Sequence, residues 1–199
     1  RKIVRQIAKG LQAFHRQEMV HQDLRPNNIM IDKLGTVKII DFGSTKVAGI
    51  SEVISKNEGL VGTAQFTAPE YFLGELGTSR SDLFSLGVIT YNMLSGKLPY
   101  GNAISKIRDK RTQGKLSYHA ISDENKAFPG WLDYTLSKAV HVDSSKRYEE
   151  VSEFIYELNN PNQHYLNKSK PPLIDRNPIL FWQCVSLILI GIIIFQNIS

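Results

Sequence analysis

The chain has 199 residues, 42% of them hydrophobic, which is enough for one domain with a sizeable core and too apolar for a disordered protein. Its 24 Lys and Arg against 19 Asp and Glu leave a net charge of +5, but the basic residues are scattered among acidic ones, which argues against a nucleic-acid-binding protein. A single cysteine, Cys184, excludes an intrachain disulfide framework and a cysteine-based metal site.

The opening segment RKIVRQIAKGLQAFHRQ repeats Ile3, Ile7, Leu11 and Phe14 at helical spacing and predicts an amphipathic helix. It begins with Arg1 and carries no secretory signal, so the chain is expected to be a piece of a longer protein. Short strands are expected in MV and NIMID, on either side of the polar cluster HQDLRPNN, and a third in TVKIID after the turn at 33–35. Asp23 and Asn28 then share the loop between the first two strands. The stretch 43–68, rich in Gly, Ser and Thr, is longer than most connections in a compact domain, and such loops are usually functional or disordered.

Residues 80–94, RSDLFSLGVITYNML, are apolar on most faces and predict a helix buried in the domain, with Asp82 as a buried carboxylate. Further helices are expected over 103–113, 131–139 and 149–158. Residues 159–178 are polar and proline-rich, as a linker would be. The tail 179–195, ILFWQCVSLILIGIIIF, has no charged residue, and about 17 helical residues span roughly 25 Å, the short end of a bilayer crossing. It is expected to be a transmembrane helix. Lys168, Lys170 and Arg176 precede it, so the positive-inside rule assigns the rest of the chain to the cytosol, anchored by its C-terminus to a membrane.

Asp23 and Asn28 lie five residues apart in a loop, and Asp41 follows the third strand. Two carboxylates and one amide so placed can divide the tasks of phosphoryl transfer: one carboxylate takes the proton of an attacking hydroxyl, the other holds magnesium with the amide. Arg25 can supply positive charge to the transferring group. No histidine has metal-ligand spacing.

The order of the motifs is more specific than any one of them. HQDLRPNN resembles the catalytic loop of protein kinases, DFG at 41–43 follows at the familiar distance, and GTAQFTAPE at 62–70 resembles the end of their activation segment. SDLFSLG matches the family's buried-aspartate helix, and Arg147 stands where the family pairs an arginine with the glutamate of APE, here Glu70. The resemblance implies a mainly α fold with short β-strands, the larger C-terminal lobe of a kinase over 1–158, followed by the linker and the terminal span. It implies Asp23 as catalytic base, Asn28 and Asp41 as magnesium ligands, Arg25 as the phosphate-facing cation and Met30 as the adenine floor. Thr63 would orient base and substrate hydroxyl, which favours Ser/Thr over Tyr. His21 and Phe42 would stack together, and Asp82 would hold the catalytic-loop backbone. ATP, magnesium and a protein substrate follow from the same resemblance; a pseudokinase or scaffold is the alternative, which the joint presence of Asp23, Asn28 and Asp41 disfavours.

The sequence also departs from the family pattern. The Gly-rich loop, the VAIK-type lysine and its helix glutamate are absent from the 199 residues, so this chain alone is expected to transfer phosphate weakly. Gln22 replaces the arginine of HRD, Phe66 a frequent tyrosine and Phe84 the usual tryptophan. The tail more loosely resembles bacterial proteins in which a metal-dependent phosphatase domain precedes such a kinase.

Overall fold

In the computed structural model, which describes residues 1–42, 46–47, 64–124, 126–162, 165–166 and 177–198, the opening segment forms helix α1, Lys2–His15. Its helical apolar spacing buries Val4, Ile7, Ala8 and Leu11, while Arg1, Lys2, Arg5 and Lys9 are exposed. Then come β1 (Met19–Val20), a single 3-10 turn at Pro26–Asn28, β2 (Ile29–Ile31) and β3 (Val37–Ile39). β2 and β3 form an antiparallel hairpin with Ile29 opposite Ile39. Its turn is made by Asp32, whose Oδ1 accepts from the N–H groups of Leu34 and Thr36, and by Gly35 at φ +78°, where a side chain would be strained. β1 pairs antiparallel with β4 (Lys46–Val47), inside the stretch that the sequence marks as irregular.

After the four-residue α2 (Pro69–Phe72), helix α3 (Ser79–Ser95) buries every residue from Ser81 to Tyr91, as a segment without a polar face must. Thr78 and Ser81 form its capping box, and Gly96 at φ +71° ends it by donating its N–H to the Asn92 carbonyl. Short α4 (Lys110–Gln113) and α5 (Ile121–Glu124) lead to α6 (Gly130–Ala139) and α7 (Val151–Glu157). α3 is the axis on which two apolar clusters pack. One joins Ile7 and Leu11 of α1, Leu83 and Leu86 of α3, Leu136 and Phe154; the other joins Phe84 and Val88 to Tyr100, Ile104, Ile107 and Val140. Burying one such side chain contributes about 1.5–3 kcal/mol, so this helix carries much of the stability of the unit Arg1–Asn162.

The helix expected over 103–113 is broken in two. A 3-10 turn at Ile104–Lys106 seats Ile104 and Ile107 in the second cluster, and Asp109 then starts α4 afresh by accepting from the Thr112 N–H at 2.7 Å. The strong local cap competes with continued helix, and 3.6-residue periodicity does not reveal that contest.

The second unit, Gln163–Ser199, contains α8, Pro178–Ile198. The expected transmembrane helix is not supported: among the described residues no helix is long and apolar enough to cross a membrane. Gln183 and Ser186 interrupt the apolar surface of α8. Most of the expected linker, 159–178, lies outside the described residues.

Candidate active site

The site is assembled on one buried carboxylate. Asp82, in the first turn of α3 and 1% exposed, accepts from the backbone N–H of Gln22 at Oδ1 (3.0 Å) and of His21 at Oδ2 (2.9 Å). His15, the last residue of α1, adds its Nε2 at 2.9 Å from the same Oδ2. These bonds clamp a strained backbone, because Gln22 sits at φ +69°, a region that costs a non-glycine residue about 1–2 kcal/mol. The loop conformation thus depends on a helix sixty residues further along the chain.

That clamp presents Asp23. Asn28, 4% exposed at the end of the 3-10 turn, donates its Nδ2 to both the Asp23 carbonyl (2.8 Å) and Asp23 Oδ2 (3.0 Å), which fixes the carboxylate relative to its own backbone. The Asn28 Oδ1 takes part in none of the described hydrogen bonds, so the oxygen a hard cation prefers is uncommitted. Arg25 Nε lies 3.4 Å from Asp23 Oδ2, an ion pair whose alignment is too poor for a hydrogen bond. Asp41 reaches the same place through the β2–β3 hairpin: the N–H of Ile40 donates to the Asn28 carbonyl at 2.9 Å, and Asp41 follows, exposed, at φ +64°. Three groups that the sequence singled out are therefore brought into one neighbourhood by one loop and one hairpin.

The remaining expected residues fall as follows. Phe42 stacks on Phe14 (centroids 5.2 Å apart) and meets His21 edge-on at 5.9 Å, while His21 itself is fully buried and, among the described residues, neither of its ring nitrogens has a hydrogen-bond partner. Met30 on β2 is 58% exposed, an open apolar surface. Thr63 lies outside the described residues. Glu70 and Arg147 meet as the sequence order implies, Nη1 and Nη2 each donating at 2.7 Å, with the Ser81 hydroxyl also donating to Oε1 at 2.7 Å. Burial pushes the Glu70 carboxyl up, but the Arg147 hydrogen bonds and charge, with the Ser81 hydroxyl, outweigh it and hold the pKa below the ordinary glutamate value. His15 was missed by sequence reasoning, since a lone histidine at the end of an amphipathic helix carries no spacing signal.

Among the described residues no group of three or more His, Cys, Asp and Glu could hold a metal ion. A magnesium ion fits without one, because it keeps several waters and is bound through one or two carboxylates plus substrate phosphates. An aspartate after a strand, an asparagine with a free amide oxygen and a second aspartate pinned beside it form a donor set of that kind. The family model described as "Protein kinase domain" matches residues 1–163.

The chain belongs to the protein kinase family.

Among its relatives, a Bifidobacterium longum protein named "Probable serine/threonine-protein kinase PknB" is 32% identical over 184 residues, 87% of this chain and 24% of the relative. A Clostridium acetobutylicum protein named "Probable serine/threonine-protein kinase CA_C1728" is 31% identical over 169 residues, 81% of this chain and 24% of the relative. "Serine/threonine-protein kinase PrkC" of Bacillus subtilis is 29% identical over 152 residues, 76% of this chain and 23% of the relative. The kinase chain thus spans about a quarter of the length of the curated relatives it matches. These matches do not show the looser resemblance to proteins with a phosphatase domain.

Proposed function

We propose that this chain is the catalytic lobe of a Ser/Thr protein kinase and that it supplies the residues that move phosphate from ATP to a protein hydroxyl. The observation that carries the proposal is Asn28, whose one amide group ties the Asp23 carboxylate to the loop while leaving an oxygen for a cation. Asp23 is the base: held by Asn28 and by the Asp82 clamp, its carboxylate takes the proton of the incoming serine or threonine hydroxyl. Asn28 Oδ1 and the Asp41 carboxylate would hold magnesium, which when bound screens the phosphate charge. Arg25 keeps a cation beside Asp23 that can turn towards a transferring phosphoryl group. Exposed Met30 offers an apolar contact for a planar base, and Thr63 is assigned the orienting role that the family motif gives it.

Phosphate transfer from radiolabelled ATP to a serine- and threonine-containing acceptor tests the reading, using the chain joined to the ATP-covering lobe of a relative. Asp23→Ala and Asp41→Ala are each expected to lower the rate by orders of magnitude. Transfer at the parent rate in either variant would remove the assignment.

A further inference from the structure

The exposed face of α1 has a composition that helix stability does not explain. From Arg1 to Arg16 the exposed positions are Arg1, Lys2, Arg5, Lys9, Ala13 and Arg16, so all but one are basic and none is acidic. Among the described residues none of the five forms an ion pair; Arg1 only lies over the Trp131 ring at 5.8 Å. Like charges four residues apart, as Arg1, Arg5 and Lys9 are, repel one another at a cost in local stability.

We infer that this basic row is a docking surface for an acidic, extended segment of a partner protein. Arg1, Arg5 and Lys9 follow one another at four-residue steps, about 6 Å along the helix. Alternate side chains of an extended strand repeat at about 6.6 Å. A segment with carboxylates at every second position can therefore put one acid on each of Arg1, Arg5 and Lys9. Other polyanions fit the face less well. An anionic membrane would gain only about 1 kcal/mol from each Lys or Arg near its surface, with no insertion to add to it, because the apolar face of α1, Val4, Ile7, Ala8 and Leu11, is closed in the core. Single-stranded nucleic acid needs exposed aromatic platforms, and the exposed positions of α1 carry none. The surface stands independently of catalysis, because binding to it requires neither ATP nor magnesium.

The test is fluorescence anisotropy of a labelled twelve-residue peptide of alternating Glu and Ser with the whole 199-residue chain, at about 50 mM and about 300 mM salt, where screening lengths differ more than twofold. Binding is expected at low salt and weaker binding at high salt. The variant Arg5→Glu/Lys9→Glu is expected to bind at least about tenfold more weakly, equivalent to about 1.4 kcal/mol. The variant Lys106→Glu/Lys126→Glu makes the same change in net charge at exposed positions elsewhere and is expected to keep the parent affinity. Circular dichroism verifies that both are folded, and Arg5→Gln/Lys9→Gln provides a milder change at the same positions. The inference is overturned by absent binding to the parent chain, by equal losses in the two double reversals, or by tighter binding of single-stranded DNA or phosphatidylserine vesicles than of the peptide.

Discussion

Arg147 and Glu70, 77 residues apart, close a two-pronged ion pair in which both guanidinium nitrogens donate at 2.7 Å to separate carboxylate oxygens. The Arg147 side chain has no exposure and that of Glu70 has 6%. Arg147 also donates Nε to the His141 carbonyl at 2.7 Å and lies 4.7 Å over the Phe84 ring, so it locks α2, α3 and the turn before α7 together. Removing one partner leaves a buried charge alone, at a cost of about 3–5 kcal/mol, whereas replacing both by apolar residues can be nearly neutral. Arg147→Ala is expected to lower the urea midpoint sharply. Adding Glu70→Leu to an Arg147→Met variant is expected to recover part of that loss, measured by the same titration.

The same pair sets a pH dependence. The folded Glu70 pKa lies below its unfolded value, so the stability it contributes is fully present above the ordinary glutamate pKa of about 4.3 and is lost as pH falls through the folded value. Melting temperature is expected to fall as pH is lowered below about 4.5 in the parent. The Glu70→Gln variant is expected to show a shallower fall over that window, and equal slopes would contradict the assignment.

Gly87 is where α3 meets the end of α6. A Cβ built there lies 2.8 Å from Val140 Cγ1 and 3.1 Å from Ala139 Cβ, contacts that a packed interior cannot relax cheaply. Gly87→Ala is expected to destabilise by about 1–3 kcal/mol despite the better helix propensity of alanine. Chemical denaturation gives the sign directly.

Asp82 and His15 extend the active site into its support. Asp82→Asn keeps the shape but replaces one acceptor oxygen by an amide donor, so one of the two clamped N–H groups loses its partner and the strained Gln22 backbone is less firmly held. Transfer by the completed kinase is expected to fall in kcat more than in KM for the peptide substrate. His15→Ala removes the third partner of Asp82 and is expected to lower kcat less than Asp82→Asn does. A change confined to KM in both would show that the clamp does not position Asp23.

The parts legible in the sequence were those with local signals. The spacing of Ile7 and Leu11 gave α1, the unbroken apolar run gave α3, and the motif order paired Glu70 with Arg147. The parts that were hidden depend on tertiary contacts. Asp109 capping a new helix against its own segment's periodicity, His15 reaching across 67 residues to Asp82, and β4 pairing with only two residues of β1 all lack a pattern along the chain. The tail shows the opposite error: an uncharged run satisfied a composition rule, while among the described residues no helix is long and apolar enough to cross a membrane. Thr63 and most of the 43–68 stretch lie outside the described residues.

Gln22 supports a last prediction, about control. In the family pattern an arginine at this position receives an activation-loop phosphate, which carries close to two negative charges and orders the loop by pairing with cations. Here the backbone is already fixed, since the Gln22 N–H donates to Asp82 at 3.0 Å, and the side chain is neutral. A neutral amide offers only ordinary hydrogen bonds, about half as strong as charge-assisted ones, so a loop phosphate gains little from it. Transfer by the completed kinase is therefore expected to survive replacement of Ser44, Thr45, Ser51 and Ser55 by Ala, positions outside the described residues, with less than about a tenfold loss, or roughly 1.4 kcal/mol at the barrier. Gln22→Arg is expected to create a phosphate dependence that the parent lacks, read as a difference between phosphatase-treated and untreated enzyme. A loss above tenfold in the fourfold Ala variant, or a phosphatase effect on the parent as large as on Gln22→Arg, would show that a cation other than residue 22 reads the loop.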